Sequence, residues 1–285
     1  MRYGVCNWIF GDEDLASTAA FLAEAGFDGV ELVGDLGLYQ PAEVNAVLDD
    51  HALSVLSLTP EDVDLAHPDS GIRADALDYY LRLLDFAAEV GAPLVCCHGE
   101  VGRVRPLTSY DEEYHHFLAC VQLIAARAAE MDLCLALEVL NRYESHLLNT
   151  SSQAVEFVTA VAAAHVGILL DTYHMNIEEA DPALAVLEAG DRLFLFHAAG
   201  SNRQATGRGH TDFVALMRAL HLAEYEGDVI IECTASGPDP FTPVKGPGWR
   251  VEVRRYAEES LCFLDACAAM SGLREGGDTP GTIAR

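Results

Sequence analysis

A chain of 285 residues, 51% hydrophobic and 22% charged, has the composition of a water-soluble globular protein, with material for one large domain or two small ones. Its formal net charge of −28 argues against a nucleic-acid binder, because phosphates need a basic footprint, and gives any cation a favourable field. Lys245 is the only lysine, which leaves Schiff-base chemistry a single candidate nucleophile and argues against it.

The chain enters "YGVCNW" near residue 3 with no charged-then-apolar leader, and no apolar run reaches the ~20 residues of a membrane span. The expectation is a cytoplasmic protein. "DLASTAAFLAEAG" then shows helical apolar spacing, "GVELV" at 29 is strand-like, and so is "LSVLSL" at 53. "ALDYYLRLLDFAAEVG" is a second helical stretch, closing on Gly91 as a C-terminal cap. Strand-like runs recur as "PLVCC" at 93 and "LCLALEV" at 133. A helix opening on the N-cap cluster Asn149 to Ser152 precedes "VGILL" at 166, and "LFLF" at 193 and "VIIE" at 229 complete the series.

Eight continuous apolar strands alternating with helices predict a parallel sheet covered on both faces, and at this length a closed single-domain (β/α)₈ TIM barrel over 1–272. A doubly wound open sheet is the competitor, but no G-x-G-x-x-G follows the first strand. "REGGDTPGTIAR" is expected to make 273–285 a flexible tail. Eight cysteines without a C-x-x-C pair read as buried, reduced thiols and not as a thiolate zinc site.

The ends of strands five to eight carry the chemistry. Strand five ends on Glu138 and strand six on Asp171, continuing to His174; strand seven ends on His197 and strand eight on Glu232. In a barrel these ends converge on the face where active sites sit. Three carboxylates placed together resist ionising without a compensating cation, and a histidine among them completes a mixed oxygen and nitrogen ligand set. Such a set suits Mn²⁺, Co²⁺, Mg²⁺ or Zn²⁺.

"LALEVLNRYE", "LLDTYHMNIEE", "FHAAGSNRQATGRGHTDF" and "IIEC", in this order and spacing, resemble the xylose-isomerase-like barrel superfamily, and most of all its D-tagatose and D-psicose 3-epimerase branch; "AGFDGVEL" at 25 to 32 is also typical of it. The resemblance implies one divalent metal, most often Mn²⁺, Co²⁺ or Mg²⁺, held by Glu138, Asp171, His197 and Glu232 and binding adjacent oxygens of an open-chain ketose. It implies that Glu138 and Glu232 are the acid–base pair on opposite faces of the sugar, and that Glu144, His174 and Arg203 contact its oxygens near C1 and C2. The chemistry is proton abstraction beside a carbonyl, with an enediolate stabilised by the metal.

Further candidates for substrate contact are Trp8 and Phe10 after the first strand, for which core or rim packing is an equal alternative, His98 after the fourth, otherwise a hydrogen-bonded loop histidine, Glu31 in the second, and Lys245 in the loop after the eighth, otherwise an exposed lysine. Gly207 and Gly209 are expected to shape the loop after strand seven. Thr206 stands there where the family more often has proline. The same superfamily and metal site leave open keto-cyclitol isomerases, dehydratases or lyases and hydroxypyruvate isomerases, with a homodimer or homotetramer as the expected assembly. A DNA-repair endonuclease of this superfamily is opposed by the net charge, by "LTP" ending strand three in place of a histidine motif, and by the missing aspartate–histidine pair after Arg203. A non-catalytic sugar-binding barrel would have no need of both glutamates.

Overall fold

Strands whose residues are apolar on both faces must be buried on both faces, and all eight apolar runs are. They form β1 (Tyr3–Cys6), β2 (Gly29–Val33), β3 (Ser54–Thr59), β4 (Leu94–Cys97), β5 (Cys134–Val139), β6 (Val166–Asp171), β7 (Leu193–Ala198) and β8 (Asp228–Ile231). Each pairs in parallel with the next, and β8 returns to β1 to close the barrel. The computed structural model describes residues 1–237 and 245–272. The segment 273–285, expected as a tail, lies outside the described residues.

Around the barrel run α1 (Leu15–Ala25), α2 (Pro41–Asp50), α3 (Ser70–Val90), α4 (Tyr110–Glu130), α5 (Ser151–Val161), α6 (Thr172–Glu178), α7 (Pro182–Ala189), α8 (Phe213–Leu222) and α9 (Trp249–Ser271). Their ends follow local chemistry. Gly26 and Gly91 close α1 and α3 in the left-handed conformation, at φ 88° and 70°. Thr150 caps α5 in a reciprocal capping box with Gln153. "NWIF" after β1 is a short 3₁₀ turn rather than strand, and it sends Phe10 into the core against Phe21 at 5.7 Å, not towards a substrate. Among the described residues no helix is long and apolar enough to cross a membrane.

All eight cysteines are free thiols; Cys262 is exposed and Cys134 half-exposed, so the expectation of uniform burial fails at those two, which face out of α9 and stand at the start of β5.

Two irregularities in the barrel set the register of its upper end. Between β2 and β3, Val30 pairs with Val55 but Glu31 with Ser57, so Leu56 is an extra residue. Between β6 and β7, Ile168 pairs with Leu193 but Leu169 with Leu195, so Phe194 is extra. A one-residue slip moves every later side chain relative to its neighbour. It is this second bulge that places His197, and not Phe196, beside Asp171.

The barrel wall is tight where β2 crosses β3. A Cβ on Gly29 would stand 2.2 Å from the Ser54 carbonyl oxygen and 2.8 Å from Leu56 Cγ, and the backbone oxygen cannot rotate away. Gly29→Ala is therefore expected to destabilise the fold by about 2–3 kcal/mol through forced backbone movement. Urea denaturation would show this as a lower midpoint at unchanged slope. A midpoint equal to wild type would mean that β2 and β3 part without cost.

Candidate active site and metal centre

At the C-terminal mouth of the barrel, Glu138 from β5, Asp171 from β6, His197 from β7 and Glu232 just beyond β8 come together. Their ligand atoms all lie within 4.8 Å of one another. Asp171, His197 and Glu232 are buried; Glu138 is the most open of the four. Two buried atoms in this group make no hydrogen bond, Asp171 Oδ2 and His197 Nδ1. Leaving such atoms unsatisfied is costly, and here both border the same gap between carboxylates. The donor set of three carboxylates and one imidazole fits a divalent cation.

The electrostatics divide the two glutamates. Burial, with Glu232 and Glu31 adding to it, pushes Glu138 up to about 8. Burial also pushes Glu232 up, but the charge of Arg203 and the His197 contact outweigh it and hold Glu232 far below the ordinary carboxylate range. Burial and the charge of Glu232 raise Asp171 well above that range.

Arg203 ties one wall of the site together. Its guanidinium stands 3.4 Å from Glu232 and 3.7 Å from Glu144, over the ring of Tyr173 at 4.8 Å and that of Trp8 at 5.8 Å. Its backbone lies at φ 59°, a conformation unfavourable for a long side chain, and its carbonyl accepts from Thr234 N–H at 2.7 Å. Trp8 Nε1 donates to Glu232 at 3.2 Å, so the indole both lines the cavity and holds a carboxylate.

His174 sits in the first turn of α6, not on an extended β6 as the sequence suggested, because Asp171 caps that helix through Tyr173 N–H at 2.7 Å. Its Nδ1 accepts from the Asn141 backbone at 3.2 Å, which leaves Nε2 to carry the proton, 3.7 Å from Asp171 and 3.9 Å from Glu138. Burial and the charge of Arg203 lower it to about 3, so it is a neutral donor.

A cavity of about 290 Å³ opens onto the cluster. Trp8, His98, Glu138, Glu144, His174, Arg203 and Glu232 line it. His98 is buried there with Nδ1 unpartnered. Asp171 and His197 lie below its floor. Glu31 does not reach it. Lys245 is half-buried and is not among its lining residues; residues 238–244 of its loop lie outside the described residues. Gly207 has φ 83° as expected, but Gly209 serves packing, since a Cβ there would meet Ser201 Oγ at 2.2 Å. Thr206 ties this loop to α9: its N–H donates to Ser260 Oγ at 3.0 Å, a bond a proline would lack.

Residues that sequence reasoning did not single out complete the site. Asn141 donates to Glu144 at 2.9 Å and orients it; Tyr173 stacks on Arg203; Glu61 and Asp62, after β3, give the cavity an acidic rim. Asn141 and Tyr173 lie inside the quoted motifs, yet nothing in their spacing marks them. Larger cavities exist, one of about 590 Å³ at the other end of the barrel, but it contains none of the clustered ligands.

Three comparisons bear on the site. The xylose isomerase-like TIM barrel family model matches residues 19–266. D-psicose 3-epimerase of Enterocloster bolteae is 42% identical over 139 residues, 48% of this chain and 46% of that protein, so this match spans less than half of the relative. 3-dehydro-D-guloside 4-epimerase of Escherichia coli is 31% identical over 248 residues, 84% of this chain and 95% of that protein. Among solved structures, D-psicose 3-epimerase with D-tagatose from Clostridium cellulolyticum superposes with a TM-score of 0.85, covering 94% of this chain and 99% of that one; at 24% identity the likeness speaks for the fold.

Proposed function

The chain belongs to the xylose isomerase-like TIM barrel family, and from that premise we propose that it is a divalent-metal-dependent ketose epimerase that inverts the carbon beside a carbonyl. One observation carries the reading: two glutamates share a metal-competent cluster and face one cavity, yet their surroundings push their protonation apart. Such a separated pair is what acid–base chemistry at a single carbon requires.

In the proposed reaction an open-chain ketose lies over the cluster. A cation held by Glu138, Asp171, His197 and Glu232 would polarise the carbonyl and stabilise the charge that builds on its oxygen. Glu232, kept ionised by Arg203, removes the proton from one face; Glu138 returns one from the other. In the reverse direction the roles exchange. Arg203 and the Nε2–H of His174 supply donors for the sugar oxygens, Glu144 accepts from a hydroxyl, and Trp8 closes the apolar side. The preferred substrate is a free ketose, converted at C3. A second reading, a 4-epimerase of 3-keto-hexosides, draws on the E. coli relative matched over 95% of its length, because the α-carbon chemistry is the same.

Proton NMR in D₂O tests both readings. Protein loaded with Mn²⁺, Co²⁺ or Mg²⁺, and chelated protein, are each given psicose, tagatose, fructose, ribulose, a 3-keto-glucoside, a keto-cyclitol and hydroxypyruvate. Metal-dependent deuterium entry at C3 of a ketose, with its epimer appearing, supports the first reading; entry at C4 of the keto-glucoside supports the second. Loss of a hydroxyl moves the assignment to a dehydratase.

A further inference from the structure

Beneath the cluster, out of reach of the cavity, lies another fully buried carboxylate. Glu31 on β2 gathers contacts from four other strands. Cys6 Sγ on β1 lies at 2.7 Å, Ser57 Oγ and Thr59 Oγ1 on β3 at 2.6 and 2.5 Å, Cys96 Sγ on β4 at 3.4 Å, and His197 Nε2 on β7 at 3.1 Å. Five donors saturate the lone pairs of two oxygens, which is how a charge can persist at full burial. The extra residue Leu56 in β3 is what brings Ser57 beside Glu31.

Cys6, Glu31 and His197 could also be read as ligands of a second metal. Their spacing argues otherwise. Ligands of one tetrahedral ion, at bond lengths of roughly 2.0–2.3 Å, stand about 3.3–3.8 Å apart. The contact of Glu31 to His197, at 3.1 Å, is that of a hydrogen bond, and Cys6 Sγ, at 2.7 Å, stands closer still. Glu31 also has no free lone pair left for a cation.

An ionised carboxylate only accepts, so the Nε2 of His197 must carry the proton it shares with Glu31. The other nitrogen, Nδ1, is the one without a hydrogen bond, 3.6 Å from Glu232. We infer that Glu31 is a positioning residue for the proposed metal centre: it takes the Nε2–H of His197, selects Nδ1 as the ligating atom, and locks the ring through donors anchored in β1, β3 and β4. The inference rests on reading the four-residue cluster as a metal site. Its physical logic is that of carboxylate–histidine–metal relays, in which the outer acceptor fixes the tautomer and raises ligand basicity.

The test titrates Co²⁺ into metal-free protein by calorimetry, for wild type, Asp171→Asn, Glu31→Gln and Ser57→Ala. Asp171→Asn removes a proposed ligand and tests the cluster itself. Glu31→Gln keeps the shape but loses the charge, and turns one acceptor into a donor facing other donors. Expected are one equivalent bound by wild type, binding abolished or severely weakened in Asp171→Asn, and affinity about 10–100-fold weaker in Glu31→Gln. Ser57→Ala, which takes one anchor from the oxygen facing His197, weakens binding by a smaller factor and serves as the test should Glu31→Gln fail to fold. Proton NMR of the Co²⁺ form supplies a second readout. A histidine ligated through Nδ1 shows a hyperfine-shifted Nε2–H, here slow to exchange in D₂O; it is present in wild type and shifted or lost in Glu31→Gln. Glu31→Gln or Ser57→Ala with wild-type affinity and an unmoved resonance would reduce Glu31 to a structural residue and overturn the inference while the metal site stands. Failure of wild type to bind Co²⁺ would overturn both.

Discussion

At saturating Mn²⁺, with binding to each variant confirmed, Glu138→Gln and Glu232→Gln each lose net epimerisation by ~10³-fold or more, in both directions, while folding as wild type. The size follows from the two-sided chemistry. Inversion needs one group to take a proton and another to return it across the carbon, so neither glutamate can stand in for its partner. The more diagnostic outcome is asymmetric. With Glu138 replaced, Glu232 still removes a proton from the epimer that presents it on that face; with Glu232 replaced, the opposite epimer is the one that exchanges. Supplying both epimers deuterated at the inverted carbon and following washout by NMR reads this directly. Retention of more than a tenth of wild-type turnover, or washout from the same epimer in both variants, would remove the two-glutamate assignment.

The barrel was legible because burial on both faces leaves a coarse trace: eight aliphatic runs at regular intervals predict eight strands, and all eight formed within a residue or two of their expected positions. The clustering of Glu138, Asp171, His197 and Glu232 was legible for a related reason, since parallel closure gathers strand ends whatever their detailed register. What the register does was not. The extra residues Leu56 and Phe194 have no signature in an apolar run, yet they decide that Ser57 faces Glu31 and that His197 stands beside Asp171. Glu31 itself looked like one more candidate for substrate contact, because a strand position does not say whether a side chain lies above or below the floor of a cavity. For Phe10 the sequence left a substrate wall and core packing open, and the 3₁₀ turn that follows β1 decides for the core. Asn141 acts through a backbone N–H to His174 and a side-chain amide to Glu144, and a pattern of residue types carries no trace of a backbone donor.

Removing the metal is expected to abolish turnover and also to make stability fall more steeply as pH rises from about 6.5 to about 8. In the metal-free protein Glu138 titrates at about 8 against an ordinary 4.5, and Asp171 and His197 are both raised well above their usual values. A group whose folded pKa exceeds its unfolded one binds more protons when folded, so the stability it confers is present at low pH and lost as pH climbs through the folded pKa. The groups with lowered values do not oppose this above neutrality. His174, at about 3, and Glu31, at about 2, contribute changes that are complete once pH passes their ordinary values. Between about pH 6.5, where the His174 change is complete, and about 8, where Glu138 has titrated, the chelated protein therefore loses stability, by about 2 kcal/mol from Glu138 alone, as clustered negative charge is uncovered. A bound divalent cation would replace the protons of Asp171 and His197 while Glu138 keeps the one it returns to the substrate, so the loaded protein loses less stability over the same range and the gap in Tm widens with pH. Thermal unfolding of chelated and Mn²⁺-loaded protein from pH 5 to 9 measures the gap. Calorimetry in buffers of different ionisation enthalpy counts the protons released on binding near pH 7. Parallel Tm profiles with no proton release would mean that the four residues do not share a cation, and the acid–base pair would then have to work without one.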